Sequence, residues 1–222
     1  DTAGDVPVGD LGSGSDYTGC LQHVGVPSTD IATGGPYGVY HSAFDDFAWF
    51  KKFGDPTFVY EQEMARAMGL QILRMSQAEV LPFDYEQYGE EISNFITTAQ
   101  KRVDKAVWAR DADFGPALAA ARRLQAAGQA LEHFQQDIPQ NPAALNAALM
   151  KAERAMLTEG LPNRPFFRHA IFAPGEFTGY AAVVIPGVNE AIDQKDLPRL
   201  REQLKQLTDA VQRAAVLLES IH

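Results

Sequence analysis

The run Pro36-Tyr37-Gly38-Val39-Tyr40-His41-Ser42-Ala43-Phe44-Asp45-Asp46-Phe47 sets a phenol beside an imidazole, with two carboxylates within five residues of it. A histidine that ligates a metal usually needs a carboxylate or carbonyl on its other ring nitrogen, so the set suits a metal ligand with its supporting partners. It equally suits a turn whose histidine caps the following helix, and spacing alone leaves both readings open. Tyr40 is either a packed aromatic or a phenol donor able to stabilise a developing oxyanion. A catalytic zinc takes about three protein ligands plus an open position. The chain has five His but no His-Glu-x-x-His, no pair of His at helical spacing and no Cys cluster. On its own it is expected to hold no zinc and to be no enzyme.

Two unequal parts must position these residues. Residues 5–11 and 26–32 read as short strands ending in Gly-rich turns. Between them Ser15 or Asp16 can cap a helix to about Val24, which gives a β–α–β unit that belongs on a larger sheet. From about residue 43 the pattern turns helical. Asp55 and Pro56 open a helix to about Ser76 whose stripe of Phe58, Met64, Met68, Ile72 and Met75 reads as core filler. Asp84 caps a second helix carrying Tyr85, Tyr88, Ile92, Phe95, Ala99 and Val103 at three- and four-residue steps. Pro116 starts a third, with Leu118, Ala121, Leu124, Leu131 and Phe134. Asn141-Pro142 starts a fourth, with Leu145, Leu149, Ala152 and Met156. The last helix carries Leu197, Leu200, Leu204, Leu207, Val211, Ala214 and Leu218, a heptad seam that packs inside a bundle or across a subunit boundary. The periodicity favours the internal bundle.

Composition narrows the function classes. At 222 residues and 45% hydrophobic content the chain can bury a real core. No apolar run approaches the roughly 18 residues of a bilayer span. A net charge of −10 argues against nucleic acid, which calls for a basic face. Residues 1–50 hold seven Asp and no Lys or Arg. That acidity is either a solvated surface or a segment lying near bound cations. Cys20, the one cysteine, falls at an apolar position of the first short helix and says nothing firm about compartment. The start at Asp1, with neither Met nor a signal segment, leads us to expect a C-terminal piece of something longer.

These strings, taken in order, resemble the glutamate carboxypeptidase II and transferrin receptor family of zinc exopeptidases. The His41 run resembles the family's last zinc-ligand loop. Gly12-Ser13-Gly14-Ser15-Asp16 and Leu21-Gln22-His23-Val24-Gly25 resemble its active-site turn and the helix after it. Phe53-Gly54-Asp55-Pro56 and Val80-Leu81-Pro82-Phe83-Asp84-Tyr85 match the passage out of the peptidase domain. Gly160 to His169 and Tyr180 to Gly187 match a late loop that returns to the cleft. The resemblance implies an α+β, mostly α fold. Residues 1–77 would be the C-terminal part of an α/β zinc-peptidase domain. Residues 78–222 would be a helical, four-helix-type dimerisation bundle, with 157–187 returning to the active-site cleft. It implies His41 as a zinc ligand, Tyr40 as the tyrosine that bonds the tetrahedral intermediate, and Ser13, Gly14, Ser15 and Tyr180 as substrate-binding. It also implies two zinc ions in an intact parent, the other ligands and the general-base glutamate lying upstream of this chain, a peptide substrate and a homodimer.

Departures from the family pattern bear on specificity. In glutamate-selective members a lysine precedes the tyrosine at 180, where this chain has Gly179. An arginine patch after the second strand is replaced by Thr29-Asp30-Ile31-Ala32, and Ser15 stands where those enzymes tend to carry an amide. A partly buried glutamate carboxylate calls for a charged, preferably bidentate donor. A broader peptidase specificity is therefore expected, either carboxypeptidase or aminopeptidase. The other reading is a non-catalytic, dimeric binding scaffold of the transferrin receptor kind, which would have no reason to keep Tyr40, His41, Asp45 and Asp46. Compartment is not legible in this chain, although the resemblance suggests an extracytoplasmic one.

Overall fold

The computed structural model describes residues 9–135 and 137–221, which form two compact units, one of residues 30–79 and one of residues 9–29 with 80–221. In chain order the helices are α1 (Phe47–Trp49), α2 (Val59–Gln77), α3 (Tyr85–Val103), α4 (Gly115–Leu131), α5 (Pro142–Ala155), α6 (Pro186–Asp193) and α7 (Leu197–Glu219). The strands β1 (Phe172–Pro174) and β2 (Ala182–Val184) fall between α5 and α6. The described chain is thus mostly helical.

The larger unit is built as the apolar spacing requires. The Asp84 carboxylate accepts from Gln87 N at 2.8 Å and starts α3, whose Tyr85, Ile92, Ile96, Ala99 and Val103 are buried along one face. The carboxamide of Asn141 caps α5 in the same way, and Asp196 caps α7. Leu200, Leu204, Leu207, Val211, Ala214 and Leu218 of α7 are all buried, so the heptad seam lies inside the bundle. Glycine sets the closest approach within it. A Cβ on Gly128 of α4 would stand 2.2 Å from Glu86 N, and one on Gly89 of α3 would stand 2.5 Å from Gln125 N. Helix propensity would favour Ala at both sites by about 1 kcal/mol. Direct backbone contact between α3 and α4 overrides that preference.

Three expectations are corrected. Residues 9–11 and 26–32 are not strands, and residues 5–8 lie outside the described residues. A strand persists only in a paired ladder, and neither segment is in one. A buried glutamine is one of the groups that hold residues 9–29. Gln22 Nε2 donates to Gly12 O, and Gln22 O accepts from Arg168 N and His169 N at 2.8 and 3.1 Å. The helical turn expected before Val24 is present, ends at left-handed Gly25, and includes a π-helical stretch, Gly19–Val24. Cys20 on it is exposed rather than apolar-packed.

The third correction concerns packing. The stripe of α2 is not core. Met68 and Ile72 are 46% and 65% exposed, and α2 buries no residue. Helical spacing marks which face would be buried, and burial itself needs a partner surface. Asp55 does cap α2, accepting from Val59 N and Glu61 N, but across a turn that puts Phe58 in the left-handed region at φ 57°. The late loop, for which sequence spacing names no elements, contains β1, β2 and the start of α6. The strands pair antiparallel, with Phe172 opposite Val184 and Pro174 opposite Ala182.

Candidate functional site

In the smaller unit the candidate loop is a tight turn. Ser42 N donates to Val39 O at 2.9 Å and Asp45 N to Ser42 O at 3.1 Å. His41 takes a positive φ of 57°, which a non-Gly residue adopts at a cost. Its ring stacks on Tyr40 with centroids 3.8 Å apart and planes at 21°, and both residues are exposed. The carboxylates do other work than the spacing suggested. Asp45 Oδ2 accepts from the backbone N of His41 at 3.0 Å, and Asp46 Oδ1 caps α1 by accepting from Trp49 N at 2.8 Å. They shape the turn that displays Tyr40 and His41, because short acidic side chains bond nearby backbone N–H groups readily.

Zinc can be tested against these donors. It takes about three or four protein ligands. Among the described residues no group of three or more His, Cys, Asp and Glu could hold a metal ion. The described residues of this chain therefore do not fit zinc by themselves, and His41 offers one imidazole.

In the larger unit the structure brings Ser13, Gly14 and Tyr180 together. Ser13 N donates to Tyr180 O at 2.8 Å. A Cβ on Gly12 would fall 1.8 Å from Tyr180 O, and one on Gly14, whose φ is 106°, would fall 2.9 Å from the Tyr180 ring. Only glycine lets the turn approach this closely. Ser15 is exposed next to it, its carbonyl accepting from Thr18 N at 3.1 Å where the helical turn begins. Tyr180 is 56% exposed at the end of the loop joining β1 to β2. Thr178 Oγ1 tightens that loop, accepting from Gly175 N at 2.8 Å and donating to Ala181 O at 2.7 Å. Gly179, at φ 66°, has open space around its Cα.

Spacing did not reveal the polar groups that hold this loop. His169 is fully buried. Its Nδ1 accepts from Ile171 N and Phe172 N at 3.2 Å each, so the proton sits on Nε2, which donates to Glu153 at 2.8 Å. Burial, and then the charge of Glu153, pushes the Tyr88 phenol upward, and the same two causes raise Tyr85, whose hydroxyl donates to Leu149 O at 2.6 Å. The carboxylate of Glu190 on α6 is shared between Arg164 and Arg199. Arg164 and His169 lie in a string that the sequence singles out, but their partners are 26 and 16 residues away and no periodicity ties them.

The chain is similar along its length to known proteins. A family model described as Transferrin receptor-like dimerisation domain matches residues 112–219, from just before α4 to the end of α7. Probable glutamate carboxypeptidase LAMP1 of Arabidopsis thaliana is 32% identical over 218 residues, covering 94% of this chain and 31% of that protein. A probable glutamate carboxypeptidase of Arthroderma benhamiae is 31% identical over 100% of this chain and 32% of its own length. Aminopeptidase NAALADL1 of Rattus norvegicus is 33% identical over 75% of this chain and 24% of its own length. The chain spans a third or less of the curated relatives it matches.

Proposed function

The chain belongs to the glutamate carboxypeptidase II and transferrin receptor family, and on that premise we propose that it is the C-terminal part of a zinc-dependent exopeptidase. Similarity over the whole chain to relatives named as glutamate carboxypeptidases carries this reading. In it, His41 gives one imidazole to a metal site whose other donors lie outside this chain. Bound zinc would supply Lewis-acid chemistry there. Tyr40 would donate a phenolic hydrogen bond to the oxyanion of the peptide carbonyl under attack. Ser13, Gly14, Ser15 and Tyr180 would line the substrate pocket. The exposure of Tyr40 and His41 on a turn built by Asp45 and Asp46 supports this assignment, since the fold uses the carboxylates and leaves both rings at the surface.

The helical unit would be the homodimerisation module, as the matched family description suggests. Its heptad seam is spent internally, so a two-fold interface would use other faces. The other reading, a non-catalytic dimeric scaffold, would keep this bundle and lack turnover.

Specificity tests the proposal. From Ala170 to Gln194 the chain has no Lys or Arg, and Glu176 adds a negative charge to the loop that carries Tyr180. In the full-length protein, peptides ending in neutral or apolar residues should be cleaved at least as well as those ending in glutamate. A tenfold preference in kcat/KM for C-terminal glutamate, about 1.4 kcal/mol, would mean that cations reach the pocket from elsewhere. Absence of cleavage across the panel would favour the scaffold.

A further inference from the structure

The β1–β2 hairpin is tied to the bundle by one polar chain. Arg164 Nη1 donates to Pro174 O, at the last residue of β1, at 2.8 Å, while its Nη2 pairs with Glu190 Oε1. Arg199 Nη2 reaches Glu190 Oε2 at 3.1 Å, and its Nη1 donates to Gln194 Oε1 at 2.7 Å. Gln194 Nε2 then donates to Glu176 Oε2, in the hairpin loop, at 3.2 Å. The chain therefore grips the hairpin at both Pro174 and Glu176. Its centre is dry, with Glu190, Arg164 and Arg199 side chains 6%, 17% and 12% exposed. Charge-assisted bonds of this kind are strong and directional, and the planar arginine fork fixes where its partners sit. The far side of the same loop carries Tyr180, which the Ser13 turn meets.

We propose that Arg164, Glu190, Arg199 and Gln194 are positioning residues that fix the β1–β2 hairpin and hence Tyr180 for substrate. This rests on the reading of Tyr180 as a pocket residue. A loosely held hairpin still binds peptide, but each encounter must first order it, and that ordering weakens binding. The loss belongs in KM with kcat nearly unchanged, because the hairpin holds no group that acts on the scissile bond.

The test uses two variants of the full-length protein. Arg164→Lys keeps a cation beside Glu190, but a single ammonium does not replace the fork that also reaches Pro174. Gln194→Ala cuts the exposed link between Arg199 and Glu176 and leaves Arg164, Glu190 and Pro174 joined, which protects the test if the first variant folds poorly. In each, amide exchange over 174–182 should rise about threefold or more while α3, α4 and α7 keep their protection. KM should rise about threefold to tenfold, with kcat within about twofold of wild type. Folded variants with unchanged exchange in 174–182, or with faster exchange and unchanged KM, would overturn the proposal. Wild-type protein without turnover would instead sink the peptidase reading, and exchange alone would then decide whether the chain holds the hairpin.

Discussion

Replacing His41 with Ala in the full-length protein should lower kcat/KM by about a thousandfold or more, equivalent to about 4 kcal/mol of transition-state stabilisation. The expectation follows from the proposal that this imidazole is a metal donor. Removing one of about three protein ligands weakens the metal and alters the geometry of whatever it activates. The fold should hardly notice. His41 is exposed, and the backbone N–H that bonds Asp45 is kept in alanine. The positive φ at residue 41 costs alanine somewhat more than histidine, but at an exposed site the stability change should stay small. His41→Ala therefore separates chemistry from folding. A variant that keeps near wild-type turnover would remove His41 from the metal site, and one that loses activity only by unfolding would show a structural role.

The second large effect is on stability. Glu190→Ala leaves the guanidinium groups of Arg164 and Arg199 in a mostly dry site without their shared carboxylate. Removing one partner of a buried ion pair costs about 3–5 kcal/mol, because the remaining charge is uncompensated. Native stabilities are about 5–15 kcal/mol, so the variant should lose a large share of the bundle's margin. Arg164 would also lose the anchor that aims it at Pro174 O, so the damage should begin in the hairpin and α6. Urea unfolding followed by hydrogen exchange over 160–199 would show it as a lowered midpoint and early loss of protection there. Wild-type stability in Glu190→Ala would mean that water already screens the arginines.

Much of the helical unit is legible in the sequence for physical reasons. Asp84 and Asn141 mark helix starts because their side chains satisfy the first free N–H groups, and α7 declares itself through seven apolar residues at alternating steps of three and four. The failures are equally physical. A short apolar run such as residues 26–32 is compatible with strand, but strand is a property of a pair, and the run is irregular here. The Met stripe of α2 has the right period, yet among the described residues α2 buries none of its own. β1 and β2 are three residues each and too short to show alternation.

The candidate site divides in the same way. Ser13, Gly14 and Tyr180 are far apart in sequence, and the fold joins them through one hydrogen bond and two glycine contacts. Tyr40 and His41 are neighbours by sequence, and what the string misrepresents is the role of Asp45 and Asp46, whose local backbone bonds compete with the imidazole for them. The Glu190 chain leaves no trace in spacing because it closes only when the segment from Arg164 to Arg199 folds back on itself.

The most direct measurement is turnover of an unblocked peptide panel by the full-length protein before chelation, after chelation and after zinc is restored, with metal content read on the same samples. The expected result is hydrolysis that falls with the metal and returns with zinc, in a protein whose helical unit stays folded throughout. A folded protein that hydrolyses nothing in any of the three states, or that keeps full activity when its metal is gone, would contradict the assignment of this chain to a zinc-dependent exopeptidase.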